Sequence, residues 1–182
     1  KKIRLAAENW KYPWQTLIST ILSARTRDEI TIPVSMQLYK KYPKINDLAN
    51  AKLKDIKRLI KPINFYKTKS ENIIKCSKII KEKYNGSSPA NFDKLIELPG
   101  VGRKTANVFL AVSGKNAIGV DTHVSYISQK LKWSKSNKPE KIEKDLKSLF
   151  QKKYWKKVNP ILVRFGKSHS KKEKDKILEK IK

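Results

Sequence analysis

The sequence predicts an all-α protein, and three observations carry that prediction. Apolar residues recur at the three- and four-residue spacing of a helix face along most of the chain. Segments that alternate with period two are scarce, and the one short apolar run, Ala117–Val120, leads into a further helical pattern. Prolines and glycines fall mostly between the periodic segments, where they punctuate them.

The elements follow in order. Trp14, Leu17, Ile18, Ile21 and Leu22 form one apolar stripe and predict the first helix. A second is expected after Pro33, which suits a first turn, with Val34 and Leu38 inward. Leu53, Ile56, Leu59 and Ile60 mark a third, stopped by Pro62. Ser70 and Glu71 open a fourth, with Ile73, Ile74, Ser77 and Ile80 inward and its end near Asn85–Gly86. Asn91 or Asp93 caps a short helix through Leu98, and a longer helix follows Gly102. In the lysine-rich C-terminal third, Ile142, Leu146, Leu149 and Phe150 make one stripe. Asn159–Pro160 reads as the start of another helix, broken at Ser168–Ser170. The tail is an amphipathic helix on Ile177, Leu178 and Ile181.

Charge narrows the function. The chain has 43 Lys and Arg against 16 Asp and Glu, a net charge of +27, and hydrophobic residues are 38% of its 182 residues. A core of that size under such a field points to a polyanionic partner, nucleic acid first and an anionic membrane surface second. Cys76 is the one cysteine, and His123 and His169 are the two histidines. An intrachain disulfide framework and a thiolate-rich zinc or iron–sulfur site are thereby excluded for these residues. No apolar run reaches the roughly 18–20 residues that span a bilayer. The basic start, Lys1–Lys2–Ile3–Arg4, is not followed by a signal-peptide apolar region. An intracellular protein is the expectation.

The most informative stretch is Leu98-Pro99-Gly100-Val101-Gly102-Arg103-Lys104-Thr105-Ala106. Two glycines here allow positive φ and close backbone approach. The helix they open has amides without internal partners at its positive end, which suits a phosphate. An ordinary Gly-containing connection between two helices fits the same nine residues.

This stretch resembles the helix–hairpin–helix of the endonuclease III family of DNA glycosylases. Gly119-Val120-Asp121-Thr122-His123-Val124 is similar to that family's Val-Asp-Thr-His stretch with its catalytic aspartate. Ile21-Leu22-Ser23-Ala24-Arg25-Thr26-Arg27-Asp28 resembles its Leu-Ser-x-Gln-x-x-Asp region, and Asn64–Ile73 continues the likeness. In all it covers roughly residues 10 to 170.

The resemblance implies roles residue by residue. Lys104 falls on the lysine that attacks the sugar C1′, and Asp121 on its aspartate partner. Such an attack needs the uncharged amine, and Lys104 would stand in the first turn of the hairpin helix beside Arg103. Asp121 would assist deprotonation and stabilise positive charge on the sugar, and it also reads as a helix N-cap. Gly100, Val101, Gly102 and Arg103 would bind DNA phosphate. A glycosylase flips its target base out of the duplex, and Arg25 stands where the family has a glutamine that fills the hole. Phe65 falls at the family's apolar wedge, and a core phenylalanine is its alternative reading. His123 reads as a residue supporting the site. Ser170 stands roughly where the first of four cluster cysteines would be, so no iron–sulfur cluster and no other metal or cofactor is expected. Cys76 reads as a core residue. The lysine-rich tail reads either as a solvated helix or as a nonspecific phosphate contact.

The implied architecture is two-lobed, with DNA in a cleft between the lobes. Residues 6–116 would form a six-helix lobe with the hairpin, and 117–182 with 1–5 the second. The implied activity is base excision of damaged bases, oxidised pyrimidines foremost, followed by AP-lyase nicking through a Lys104 imine. The partner would be double-stranded DNA carrying a damaged or mismatched base or an abasic site. The protein would act as a monomer in the cytoplasm or nucleoid. Two alternatives stay open: a thymine or uracil mismatch glycosylase of the same fold, and a noncatalytic helix–hairpin–helix module.

Overall fold

The computed structural model describes residues 3–181 and is all-α. Eleven α-helices are formed among those residues: α1 (Pro13–Ser23), α2 (Asp28–Lys41), α3 (Ile45–Ala49), α4 (Leu53–Leu59), α5 (Tyr66–Tyr84), α6 (Phe92–Ile96), α7 (Arg103–Val112), α8 (Thr122–Lys130), α9 (Pro139–Leu149), α10 (Trp155–Ser168) and α11 (Lys171–Lys180). A single 3-10 turn, Lys152–Tyr154, precedes α10. No described strand is present, and no described helix is long and apolar enough to cross a membrane.

The chain divides into two compact units, up to Phe109 and from Leu110 onward. The sequence-based boundary lay at 116/117, with residues 1–5 assigned to the second lobe. The division between the two compact units falls inside α7. The described N-terminal residues group with the first unit, for which side-chain contacts give a reason. Arg4 donates to the Glu8 carbonyl at 3.1 Å and lies over the Trp10 ring, and Trp10 meets Tyr39 of α2 edge-on at 5.0 Å. Lys1 and Lys2 lie outside the described residues.

In the first unit, α5 is the central strut, packed against α1, α3 and α4. Its buried face carries Lys69, Ile73, Cys76 and Ile80, and α1 presents Leu17, Ile18, Ile21 and Leu22. The Tyr39 hydroxyl donates to the Gln15 carbonyl at 2.8 Å and shares a 2.6 Å hydrogen bond with Ser19, joining α2 to α1. Cys76 is fully buried, and burial pushes its thiol up to about 12, so it behaves as a core residue. In the second unit, Ile118, Val120, Val124, Ile127, Ile142, Leu146, Val158, Leu162 and Leu178 make one core.

Two proline readings are corrected. The second helix begins at Asp28 and carries Pro33 inside it. Likewise α10 begins at Trp155 and carries Pro160 inside it. Each proline forfeits one backbone donor, and packing of the rest of the helix outweighs that loss. Asn159 is buried, and its side-chain amide donates to the Gly119 carbonyl at 2.7 Å. α5 begins at Tyr66, ahead of the predicted start at Ser70. The short α3 was not anticipated.

Candidate nucleic-acid interface and active site

The hairpin is built from α6, a turn and α7. Asn91 caps α6, its side chain accepting from the Lys94 amide at 3.0 Å. The turn closes with the Val101 amide donating to the Leu98 carbonyl at 3.0 Å. Gly100 has φ +80°, and a Cβ there would meet Asn72 Cβ at 3.1 Å and Ile21 Cγ2 at 3.2 Å. Conformation and space both demand glycine at that position. Gly102 is different: its φ is not positive, and a Cβ would meet nothing within 4 Å. The expectation of positive φ thus holds for Gly100 alone. What Gly102 supplies is bare backbone facing open space.

The expected phosphate ligands separate accordingly. Val101 is buried, at 5% exposure, and its amide is already used by the turn. It shapes the hairpin without offering a donor. The first α7 bond runs from the Ala106 amide to the Gly102 carbonyl. The Gly102 and Lys104 amides therefore precede the intrahelical ladder and stand at its positive end. Arg103 lies over the Phe92 ring at 5.0 Å, tying α7 to α6.

Lys104 is half-buried in the first turn of α7. Its ammonium makes no hydrogen bond or ion pair among the described residues. Asp121 lies in the second unit as the N-cap of α8, with Oδ1 accepting from the Val124 amide at 2.9 Å. The capping reading of its sequence is thus realised, and Oδ2 has no partner among the described residues. An open groove beside it is lined by Thr122, Ser125, Tyr126 and Gln129. His123 packs directly against Gly166 of α10, so close that an alanine Cβ there would lie 2.7 Å from the imidazole Cγ.

Arg25 and Phe65 come together. Both adopt left-handed backbone, φ 56° and 59°. Phe65 is 59% exposed, which rules out the core reading of this residue, and the Arg25 guanidinium lies over its ring at 5.2 Å. Two residues without an expected role stand behind them. The Asn64 side-chain amide donates to the Arg25 carbonyl at 2.5 Å, and the Asn64 amide to Thr26 Oγ1 at 3.1 Å. Lys69 is buried at 7% exposure and donates to the carbonyls of Leu22 and Ala24 at 2.7 and 2.6 Å. Burial pushes its ammonium down to about 8. The signal for Lys69 was in its register: it extends the Ile73–Cys76–Ile80 stripe back by one turn.

The residues present do not fit a four-thiolate cluster. The 182 residues hold one thiol, and no described group of three His, Cys, Asp or Glu could hold a metal ion. Ser170 is the N-cap of α11, in a reciprocal box with Glu173: the Ser170 amide donates to Glu173 Oε2 at 2.7 Å, and the Glu173 amide to Ser170 Oγ at 3.4 Å. The Glu173 carboxyl is held below the usual range by those Ser170 bonds.

Hairpin, capped aspartate and exposed Phe65 together describe a protein of the helix–hairpin–helix base-excision class. A family profile supports this: residues 18–152 match the HhH-GPD superfamily base excision DNA repair proteins. The chain belongs to that superfamily and, within it, to the endonuclease III family of DNA glycosylases. It is 46% identical to the endonuclease III of Thermotoga maritima over 155 residues, 85% of this chain and 73% of the relative. Its identity to the Bacillus subtilis endonuclease III is 38%, over 87% of this chain and 74% of that one. Among solved structures, a trapped endonuclease III–DNA covalent intermediate in an estranged-adenine complex matches with a TM-score of 0.85 and 34% identity, over 90% of this chain and 78% of that chain. A thermostable thymine-DNA glycosylase shares the fold, with a TM-score of 0.80 and 21% identity over 90% of this chain and 77% of that one.

Proposed function

We propose that this DNA glycosylase is bifunctional, removing damaged pyrimidines from duplex DNA and then nicking the strand by β-elimination. The observation that carries the reading is Lys104, half-buried in the first turn of the hairpin helix with no competing carboxylate among the described residues. The Lys104 Nζ lone pair forms a bond to the sugar C1′. The N-glycosidic bond breaks, and its electron pair leaves with the base. The amine's proton passes to a base, for which Asp121 is the candidate. Ring opening gives a C1′ imine, and loss of a C2′ proton then expels the 3′ phosphate. A covalent enzyme–DNA intermediate is named for the endonuclease III that this chain resembles, which supports the same course here.

On this reading the Gly102 and Lys104 amides grip phosphate, and the surface lysines add sequence-independent attraction. Arg25 and Phe65 enter the duplex where the target base has left, one hydrogen-bonding the orphaned base and the other stacking on its neighbour. The working form is a monomer on nucleoid DNA, with the phosphate grip and the nucleophile in the first unit and Asp121 in the second. A second reading, excision of thymine or uracil mispaired with guanine, rests on Arg25 in place of the family's glutamine.

Borohydride trapping on abasic duplex tests the chemistry. Wild type gives a reduced covalent adduct. Lys104→Gln keeps a good helix former of similar length, so it should fold and bind DNA but yield no adduct and no nick. A wild-type level of adduct in that variant would overturn the assignment. A panel of duplexes with oxidised pyrimidines and with G·T and G·U pairs separates the two substrate readings.

A further inference from the structure

Two of the bulkiest residues in the chain, Arg25 and Phe65, hold left-handed backbone that only glycine and asparagine adopt readily. Such conformations persist only where surrounding structure over-determines them, and they gather at functional clamps. Here the surrounding structure is visible. Lys69, reaching up from inside α5, donates to the carbonyls of Leu22 and Ala24, at the open C-terminal end of α1. A cation at that end meets both the unpaired carbonyls and the negative pole of the helix. The Ala24 carbonyl belongs to the residue directly before Arg25. From the other loop, Asn64 grips the Arg25 carbonyl and Thr26 Oγ1. Arg25 is thus bracketed on both sides of its Cα by donors from the Phe65 loop and its helix. Arg25 and Phe65 are therefore one braced unit, its ring and guanidinium stacked and its backbone closed behind.

We propose that Lys69 and Asn64 are positioning residues for base flipping: a latch that holds the Arg25–Phe65 pair erect for insertion into the duplex, without touching DNA themselves. A wedge that must fill a hole of one base cannot be limp, since ordering it during insertion would subtract from the binding it gains. The latch orders it in advance. Lys69 is suited to this because its ammonium is donor-only and buried, so it can satisfy two carbonyls at once and nothing nearby competes for it. The proposal rests on the reading of Arg25 and Phe65 as the gap-filling pair.

The test uses the full chain with Arg25→Ala, Lys69→Met, Asn64→Ala and the double variant Arg25→Ala/Lys69→Met. The duplex carries a damaged pyrimidine with 2-aminopurine beside it, whose fluorescence rises when its neighbour unstacks. Single-turnover excision is read on the same duplex. Arg25→Ala should lose most of the fluorescence rise and slow excision about 10- to 100-fold. Lys69→Met should lose a similar share, Asn64→Ala about 3- to 10-fold, and the double variant should be no slower than Arg25→Ala alone. That non-additivity marks a residue acting through Arg25, whereas a residue that only holds the fold gives additive losses. If Lys69→Met and Asn64→Ala keep the rate and the fluorescence while Arg25→Ala loses both, the latch is refuted and the gap-filling reading stands. If Arg25→Ala itself keeps both, the gap-filling reading falls and the latch falls with it. An additive double variant also refutes the latch. Should Lys69→Met fail to fold, Asn64→Ala and its double with Arg25→Ala decide by the same criteria, since Asn64 is exposed and its side chain serves only the Arg25 carbonyl.

Discussion

Gly166→Ala offers a sharp test of how the second unit holds Asp121, the proposed catalytic aspartate. Gly166 is buried in α10, where α10 packs on α8. A methyl group there would drive into the His123 ring, 2.7 Å from Cγ and 3.1 Å from Cβ. Those atoms sit at the root of the side chain, so a rotation of χ2 cannot clear them. Either His123 changes χ1 or the first turn of α8, which Asp121 caps, shifts. Overpacking of this kind costs about 1–3 kcal/mol, while glycine to alanine in a helix interior returns about 1 kcal/mol. The expected net loss is about 0–2 kcal/mol, or a Tm fall of up to about 8 °C for a chain of this size. The decisive assay is urea unfolding of a double-mutant cycle with His123→Ala. Without the ring the clash is gone and the helix-propensity gain remains, so Gly166→Ala should stabilise His123→Ala by up to about 1 kcal/mol. The coupling is then about 1–3 kcal/mol, above the error of such cycles. Excision by the single Gly166→Ala should fall about tenfold as the carboxylate moves, since small misplacements of reacting groups are costly. Equal effects of Gly166→Ala with and without the His123 ring would refute the argument.

Asp121→Asn keeps much of the capping capacity, so its Tm should stay within a few degrees while base release falls by roughly two to four orders of magnitude. The double variant Lys104→Gln/Asp121→Asn should be little slower than the poorer single one, because on the proposed mechanism both groups serve one transition state. Gly102→Val should leave the melting curve nearly unchanged and weaken duplex binding. Gly100→Ala should show the reverse order, its first effect being loss of stability, which paired melting and binding curves would read. A salt titration of duplex binding should give a log–log slope of several units, and a slope near −0.9, the value for a single phosphate contact, would contradict the phosphate reading of the hairpin. Ser170→Ala removes a cap worth about 1 kcal/mol, which should show as early loss of α11 in amide exchange.

Much of the fold was legible because the core helices obey their period. The α1 stripe from Trp14 to Leu22 is buried as read, and Ile142 and Leu146 sit in the second core. Leu149, at 52% exposure, departs from its stripe, since α9 ends there, and Leu53 and Ile181 at the ends of α4 and α11 are exposed too. Prolines misled at α2 and α10 for one reason. A proline at a first turn and one farther in give the same local signal, and only tertiary packing tells how much helix precedes it. The five residues of α3 carry too few turns for a period to register, and they are helical because Leu48 and Ala49 are buried, with α3 packed on α5.

The site was legible where a residue's chemistry is tied to its local frame, and opaque where it depends on distant partners. Gly100 needs its positive φ and Asp121 its capping bond, and both follow from a few neighbouring letters. Phe65 could not be resolved as wedge or core, because exposure is decided by where α5 starts, and Tyr66 rather than Ser70 starts it. Lys69 is the extreme case. Among 37 lysines its identity says nothing. Its register on the buried face of α5 says that it must be satisfied, since a buried ammonium without partners is intolerable. What satisfies it, two carbonyls more than forty residues earlier in the chain, is a fact of tertiary structure alone. A lysine on an apolar stripe is therefore the pattern to search for in such basic sequences: a charge turned inward must be satisfied, and the backbone that satisfies it is held in place.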